Sequence, residues 1–253
     1  MKQKNYLENK VYIVGAGPGD CELITLQGLK ILKKADCVIY DYLVNKKLLR
    51  YAPKTAELIN ADAPRNSFSD GFTTEQDKLN SLIVEKAKKY KTVVRLKNGD
   101  PVIFGRLNEE VEILAAGKID FEITPGITAA SSAAASLNIG LTKTKFAPVV
   151  SFITGHENPF DKKLSVDYAL LPKQGTLVFY MATENLKKIT KKLIEFGWNK
   201  NTFCAIVEKA GSPNALRAKK WIGRLKDVKK ISAGIKSPSV FIVGDVLKYA
   251  INR

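Results

Sequence analysis

The chain has 253 residues, enough for one large or two medium cores, and its 45% hydrophobic and 26% charged content is ordinary for a globular protein. Its opening, MKQKNYLENK, is polar and no apolar run approaches the ~20 residues that span a bilayer, so a cytoplasmic protein with no membrane segment is expected. A net charge of +16 fits nucleic acid, an anionic membrane or a polyanionic small molecule, but the lysines are spread in short pairs with no basic arm, so no nucleic-acid partner is expected.

Strand and helix alternate along the first half. Val11–Val14 reads as a short buried strand ending in glycines. Residues 23–34 carry apolar side chains mostly at helical spacing, and Cys37–Tyr40 is a second strand. Thr55–Asn60 is a third. Thr74-x-x-Asp77 resembles a capping box ahead of a helix marked by Leu79, Leu82, Ile83, Ala87 and Tyr90. Thr92–Leu96 is a strand, Asn108–Ala116 a helix stopped by Gly117, and Ile119–Ile123 a further strand. This alternation predicts a mostly parallel sheet covered on both faces. Residues 126–138 form a helix of small side chains, suited to tight packing on the sheet or to close approach of a ligand or subunit. The pattern restarts near Leu141, with strands at 149–154, 175–181, 203–208 and 239–243 and an amphipathic helix at 186–196. The expected fold class is α/β, with two α/β domains at 1–145 and 146–253.

Few residues can hold a metal. The three cysteines, Cys21, Cys37 and Cys204, are scattered and His156 is the only histidine, so neither a metal centre nor a disulfide framework is expected. His156 reads as part of a turn. Val14-Gly-Ala-Gly-Pro-Gly-Asp20 places a glycine-rich turn after the first strand, the usual approach of a nucleotide to a sheet. A dinucleotide site, with Asp41 on the ribose, is the competing reading. Against it stand the GxGxG spacing, Pro18 without an N–H, and Asp20 where a phosphate would dock. Asp20 reads as a helix cap. The loop suits a ligand without phosphate, such as S-adenosylmethionine.

Asn98-Gly99-Asp100-Pro101 follows a strand, where open α/β sheets bind ligands; a plain Asn-Gly turn is the alternative. Asp41 ends a buried strand and fits either a base or a turn residue. Arg95, Lys97 and Arg106 lie near this loop and could pair with substrate carboxylates or simply be solvated.

The runs VYIVGAGPGDCELITLQGLKILKKADCVIYDYLV, VVRLKNGDPVIFGR, ITPGITAASSAAA, ITGH and TLVFYM, in this order over nearly the whole chain, resemble the tetrapyrrole methylase family, in particular the branch that methylates uroporphyrinogen III. The resemblance implies an S-adenosylmethionine-dependent enzyme that releases S-adenosylhomocysteine. It would methylate carbons 2 and 7 of a tetrapyrrole to give precorrin-2, on the way to siroheme or cobalamin. It implies a homodimer with the cofactor in the cleft between two domains. Residue by residue, it assigns cofactor contacts to Pro18, Asn98, Gly99, Asp100, Ile103, Thr128, Ala129, Met181 and Ala210, and proton acceptance to Asp41. Two stretches depart from the family pattern. The lysine assigned as proton donor falls near Ala63 and is absent, with Arg65 the nearest cation. In Ile139-Gly-Leu-Thr-Lys-Thr-Lys145, Lys143 and Thr144 replace a histidine-arginine pair. Methyl transfer to another precorrin, a basic RNA-binding methyltransferase, a non-catalytic relative and a dinucleotide-dependent oxidoreductase remain as alternatives.

Overall fold

Lys10–Gly15 (β1), Cys37–Tyr40 (β2), Glu57–Asn60 (β3), Thr92–Lys97 (β4) and Asp120–Thr124 (β5) pair side by side in the order β3-β2-β4-β1-β5. The computed structural model, which describes residues 9–61, 75–156, 166–213 and 219–251, makes every one of these pairings parallel. All five carboxyl ends therefore emerge at one edge. A parallel sheet must be covered on both faces, and alternate residues sort accordingly. Val11, Ile13, Cys37, Ile39 and Val93 pack with Leu79, Ile83 and Ala87 of α2 (Glu75–Lys89) and Leu114 of α3 (Leu107–Ala116). On the other face Tyr12, Val14, Val38, Val94 and Leu96 meet Ile31 and Leu32 of α1 (Leu26–Leu32) and Leu48 of the 3-10 turn Lys46–Tyr51.

The helix expected over 23–34 is shorter, because two caps divide it. Asp20 accepts from Glu22 N at 3.0 Å and caps a 3-10 turn at Cys21–Leu23. Thr25 then accepts from Gly28 N at 3.0 Å and starts α1. Thr74, half of the expected capping box, lies outside the described residues, as do Ala63 and Arg65.

The second half builds its own sheet from Val150–Thr154 (β6), Thr176–Tyr180 (β7), Phe203–Glu208 (β8), Lys220–Arg224 (β9) and Ser239–Val243 (β10), in the order β6-β7-β10-β8-β9. Only β6 and β7 pair in parallel; β10 runs antiparallel to both β7 and β8, and β9 antiparallel to β8. Thus β6, β7 and β8 share a direction and their carboxyl ends share an edge. The sequence pattern does not announce β9, a Lys-Trp-Ile-Gly-Arg strand with a charge at each end and no fully buried residue. One face of this sheet packs Leu177, Phe179, Ile206 and Phe241 against Leu186, Ile189 and Leu193 of α5 (Leu186–Glu195) and Val228 of α6 (Val228–Ile231). Each such fully buried side chain contributes roughly 1.5–3 kcal/mol.

The other face receives the small-residue helix α4 (Ala129–Ser136). Its Ala130 and Ala133 are fully buried against Val178, Val207, Val240 and Ile242, so tight packing on the sheet accounts for their size. Lys248–Ile251 (α7) ends the described chain. The two compact units are Met1–Thr128 and Ala129–Arg253. The division falls where α4 begins, ahead of the boundary expected at 145, because the alanines of α4 belong to the second core.

Candidate functional site

Three loops meet at the carboxyl edge of the first sheet. Gly17 N donates to Gly99 O at 3.2 Å and Gly99 N donates to Gly17 O at 2.8 Å, which ties the loop after β1 to the loop after β4. The loop after β5 is held just as close: a Cβ on Gly15 would lie 2.6 Å from the Gly126 backbone, and one on Gly126 would strike Gly99 O. Gly99 itself differs. It has φ +68, and a Cβ there would meet only Ile127 O, at 3.9 Å, so a small side chain would find room although the residue is buried. Beyond it Asp100 begins a turn, accepting from Ile103 N on its backbone oxygen at 3.2 Å and from Val102 N on Oδ1 at 3.1 Å. Phe104 and Arg106 both hold φ 50, in the left-handed region, and both are exposed. Pro18 and Thr128 are half-buried at the same edge.

This edge is poorly equipped for phosphate. The amides of Gly17 and Gly99 are spent on each other, Pro18 has none, and Asp20 is negative. What remains at this edge suits a ligand that carries no phosphate, and S-adenosylmethionine is one.

Asp41 follows β2. Its Oδ2 accepts from Asn98 N at 3.1 Å, its Oδ1 accepts from Arg95 Nη2, and its side chain keeps 29% exposure. Register explains the pairing. Ile39 sits opposite Arg95, so Asp41, Arg95 and Lys97 project from one face of the sheet, the face covered by α3. There Glu110, in the first turns of α3, receives both cations on one oxygen: Arg95 Nε at 2.9 Å and Lys97 Nζ at 2.7 Å. Burial opposes the Arg95 charge, but Asp41 and Glu110 outweigh it and hold the guanidinium pKa above its ordinary value. Lys97 goes the other way: burial, aided by Arg95, pulls its pKa below the usual lysine value against the attraction of Glu110.

In the second unit, Met181 follows β7 with φ 53 and stands 52% exposed, an unusual backbone for a long side chain and of the kind found at functional positions. Ala210 follows β8 at the same sheet edge. Its side chain is buried in the core. Ala129 opens α4, half-buried. His156, after β6, donates its backbone N–H to Thr154 Oγ1 at 3.2 Å, and the neighbouring Gly155 O accepts from Asn185 Nδ2 at 2.8 Å. Among the described residues no group of three or more His, Cys, Asp or Glu side chains is placed to hold a metal ion.

The sequence profile of the Tetrapyrrole (Corrin/Porphyrin) Methylases matches residues 10–228. The chain belongs to this family. A uroporphyrinogen-III C-methyltransferase of Bacillus subtilis (strain 168) is 40% identical over 95% of this chain and 91% of its own. A uroporphyrin-III C-methyltransferase from Thermus thermophilus, solved in complex with S-adenyl homocysteine, superposes with a TM-score of 0.78 at 31% identity, covering 95% of this chain and 99% of that one. A cobalt precorrin-4 methyltransferase of cobalamin biosynthesis gives a TM-score of 0.80 at 28% identity, covering 98% of each.

In this tetrapyrrole methylase the expectation for two of the three cations needs correction. Arg95 and Lys97 are 3% and 4% exposed at their side chains and are engaged by Glu110, so neither is free to meet a substrate carboxylate. Arg106 is the exposed member of the trio. Glu110, which sequence reading passes over, had one signal available: period-2 spacing sets Asp41, Arg95 and Lys97 on one face, where the excess cation needs a counter-ion from the covering helix. Lys143, in the stretch that departs from the family pattern, lies 3.5 Å above the Tyr249 ring, with Phe146 stacked on the same ring.

Proposed function

We propose that this tetrapyrrole methylase transfers two methyl groups from S-adenosylmethionine to uroporphyrinogen III, at carbons 2 and 7, and so produces precorrin-2 by way of precorrin-1 for siroheme or cobalamin synthesis. The observation that carries this reading is the 40% identity to a uroporphyrinogen-III C-methyltransferase across 95% of the chain. The edge of the first sheet supports it, because spent amides, Pro18 and the negative Asp20 make it unsuited to phosphate and compatible with a phosphate-free cofactor.

The cofactor supplies an electrophilic methyl group on a sulfonium. The chain's own work is alignment, which is worth up to roughly 7–11 kcal/mol in favourable intramolecular cases. Candidate contacts in the first unit are Pro18, Asn98, Gly99, Asp100, Ile103 and Thr128, with the Asn98–Asp100 loop on the amino-acid portion. Those in the second unit are Ala129, Met181 and Ala210, the last through its backbone, since its side chain is buried. When the tetrapyrrole carbon gains its methyl, a proton must leave, and the part-exposed carboxylate of Asp41 receives it. Arg106 is the candidate anchor for a substrate carboxylate. A homodimer is part of the reading and rests on family resemblance; a cytoplasmic location is part of it too and rests on the polar opening of the sequence. No helix among the described residues is long and apolar enough to cross a membrane.

Anaerobic incubation of pure protein with uroporphyrinogen III and S-adenosylmethionine, followed by mass analysis, tests the proposal. Gain of two methyl groups is the expected result. A second reading, methylation of a different precorrin, is favoured by the TM-score of 0.80 to a cobalt precorrin-4 methyltransferase and by the altered 139–145 stretch. No gain of mass, with S-adenosylhomocysteine still bound, would sink the first reading and leave another acceptor or a lost activity.

A further inference from the structure

Buried charge is expensive, and a well-packed apolar core is often the more stable alternative. Behind Asp41 the chain nevertheless keeps three charged side chains almost wholly out of water: Arg95 at 3%, Lys97 at 4% and Glu110 at 1% side-chain exposure. With Asp41 they form a neutral set of two cations and two carboxylates. The set has a direction. Glu110 Oε1 takes Arg95 Nε at 2.9 Å, Arg95 gives Nη2 to Asp41, and Asp41 Oδ2 takes the Asn98 N–H at 3.1 Å. It starts in the core at α3 and ends on the loop that carries Gly99.

A guanidinium is planar, so fixing Nε fixes where Nη2 points. Two further Arg95 contacts, Nη1 to the backbone oxygens of Ile39 and Leu96 at 3.4 and 3.5 Å, are long and weak by comparison. The carboxylate of Glu110 is thus the strong constraint on the inner end of Arg95. We propose that Glu110 is a positioning residue: through Arg95 it sets the orientation of the Asp41 carboxylate at the mouth of β2. The inference rests on the reading of Asp41 as the proton acceptor. Lys97, held on the same oxygen at 2.7 Å, supplies the second cation that leaves the buried set without net charge.

The test is a double-mutant cycle between Glu110→Gln and Asp41→Asn, read by kcat for methyl addition to uroporphyrinogen III, by the dissociation constant of S-adenosylhomocysteine and by Tm. Glu110→Gln keeps shape and loses charge. Its kcat is expected to fall about tenfold to a hundredfold, the range a small misplacement of a reacting group produces. Cofactor affinity should stay within about threefold, because the Gly17–Gly99 backbone bridge still fixes that loop. The double variant should be no slower than Asp41→Asn alone, since an effect routed through Asp41 has nothing left to act on. If Glu110→Gln matches the parent, or the two losses multiply, or kcat and affinity fall in parallel, Glu110 has no positioning role. A parent-like Asp41→Asn would instead overturn the reading of Asp41, and with it the inference built on it. Should Glu110→Gln fail to fold, Glu110→Gln with Lys97→Met restores neutrality and is measured in the same way. A folded neutral variant with parental kcat overturns the proposal.

Discussion

The carboxylate of Asp41 accepts the backbone N–H of Asn98 at 3.1 Å, so the end of β2 and the loop after β4 are joined by a side chain as well as by the sheet. Asp41 is therefore both a candidate base and a brace. Asp41→Asn keeps an oxygen that can accept from Asn98, takes up no proton, and also gives up the charged pairing with Arg95, so melting temperature is read beside turnover. Turnover should fall about a hundredfold or more, the usual range for a lost general base. S-adenosylhomocysteine affinity should stay within about threefold. Isothermal titration beside a turnover assay decides it; a parallel collapse of both would make Asp41 a brace alone.

Gly15 and Gly99 are predicted to fail differently. A methyl at position 15 has nowhere to go, with the Gly126 backbone 2.6 Å away. Gly15→Ala should cost about 1–3 kcal/mol of stability through overpacking. At Gly99 a Cβ has room and the strain comes from φ +68, which a β-branched residue adopts poorly, so Gly99→Val should lose a comparable amount of stability and, unlike Gly15→Ala, at least about tenfold in S-adenosylhomocysteine affinity. Denaturant melts with cofactor titrations would show the contrast. Undiminished affinity in Gly99→Val would remove the loop from the cofactor site.

Much of this was legible in the sequence because it depends on local signals. The strands β1, β2 and β4 are short apolar runs closed by turn residues, and their carboxyl ends carry the glycine-rich and Asn98-Gly99-Asp100 loops. What escaped depends on partners distant in sequence. Arg95 and Lys97 look like substrate anchors until Glu110 is placed on the helix that covers their face. The Ala130 and Ala133 positions look as ready for a ligand as for a sheet, and only the packing of α4 on the second core decides between them. Lys220–Arg224 becomes a strand because β8 offers it an edge, a tertiary cause that outweighs its weak local pattern.

A salt-linked cluster away from the loops gives a pH signature. Glu57 on β3 accepts from Tyr90 Oη at 2.7 Å and from Lys86 Nζ at 3.0 Å, and those two bonds, Tyr90 first, hold its pKa below the usual 4.5. A carboxylate whose pKa drops on folding adds stability that is complete above its unfolded pKa and disappears as the pH falls through the folded value. Glu57→Gln should therefore melt below the parent at pH 7, and the gap should close on acidification from pH 4.5 downward. Solvent reaches this carboxylate, which limits the effect to at most about 1 kcal/mol. A gap independent of pH would assign the loss to packing.

The thiols should also differ in reactivity. Burial, the chief cause in both cases, pushes the Cys37 thiol up to about 11 and the Cys204 thiol up to about 12, while Cys21 is half-buried. Thiolate is the reactive form, so an aromatic disulfide reagent at neutral pH should modify Cys21 alone in the folded protein and all three cysteines in denaturant. Modification of Cys204 in the native protein, located by peptide mass mapping, would mean that the second core opens readily.

Arg106 carries the last expectation about the substrate. Of the three cations near the Asn98–Asp100 loop, Arg95 and Lys97 are committed to Glu110, and Arg106 remains exposed at the start of α3 with φ 50. That backbone conformation is uncommon for an arginine and is more easily adopted by asparagine or glycine, so the side chain there is retained at some cost in strain. An exposed guanidinium can meet a carboxylate with two parallel bonds, worth about 1.5–3 kcal/mol for a charged hydrogen-bonded pair. Arg106→Gln should accordingly raise KM for uroporphyrinogen III by about tenfold to a hundredfold, leave the affinity for S-adenosylhomocysteine unchanged, and weaken the dependence of KM on salt. Arg106→Lys should recover only part of the loss, because an ammonium lacks the planar fork. An unaltered KM in Arg106→Gln would show that this arginine is solvated in the working enzyme and that the tetrapyrrole carboxylates are held elsewhere.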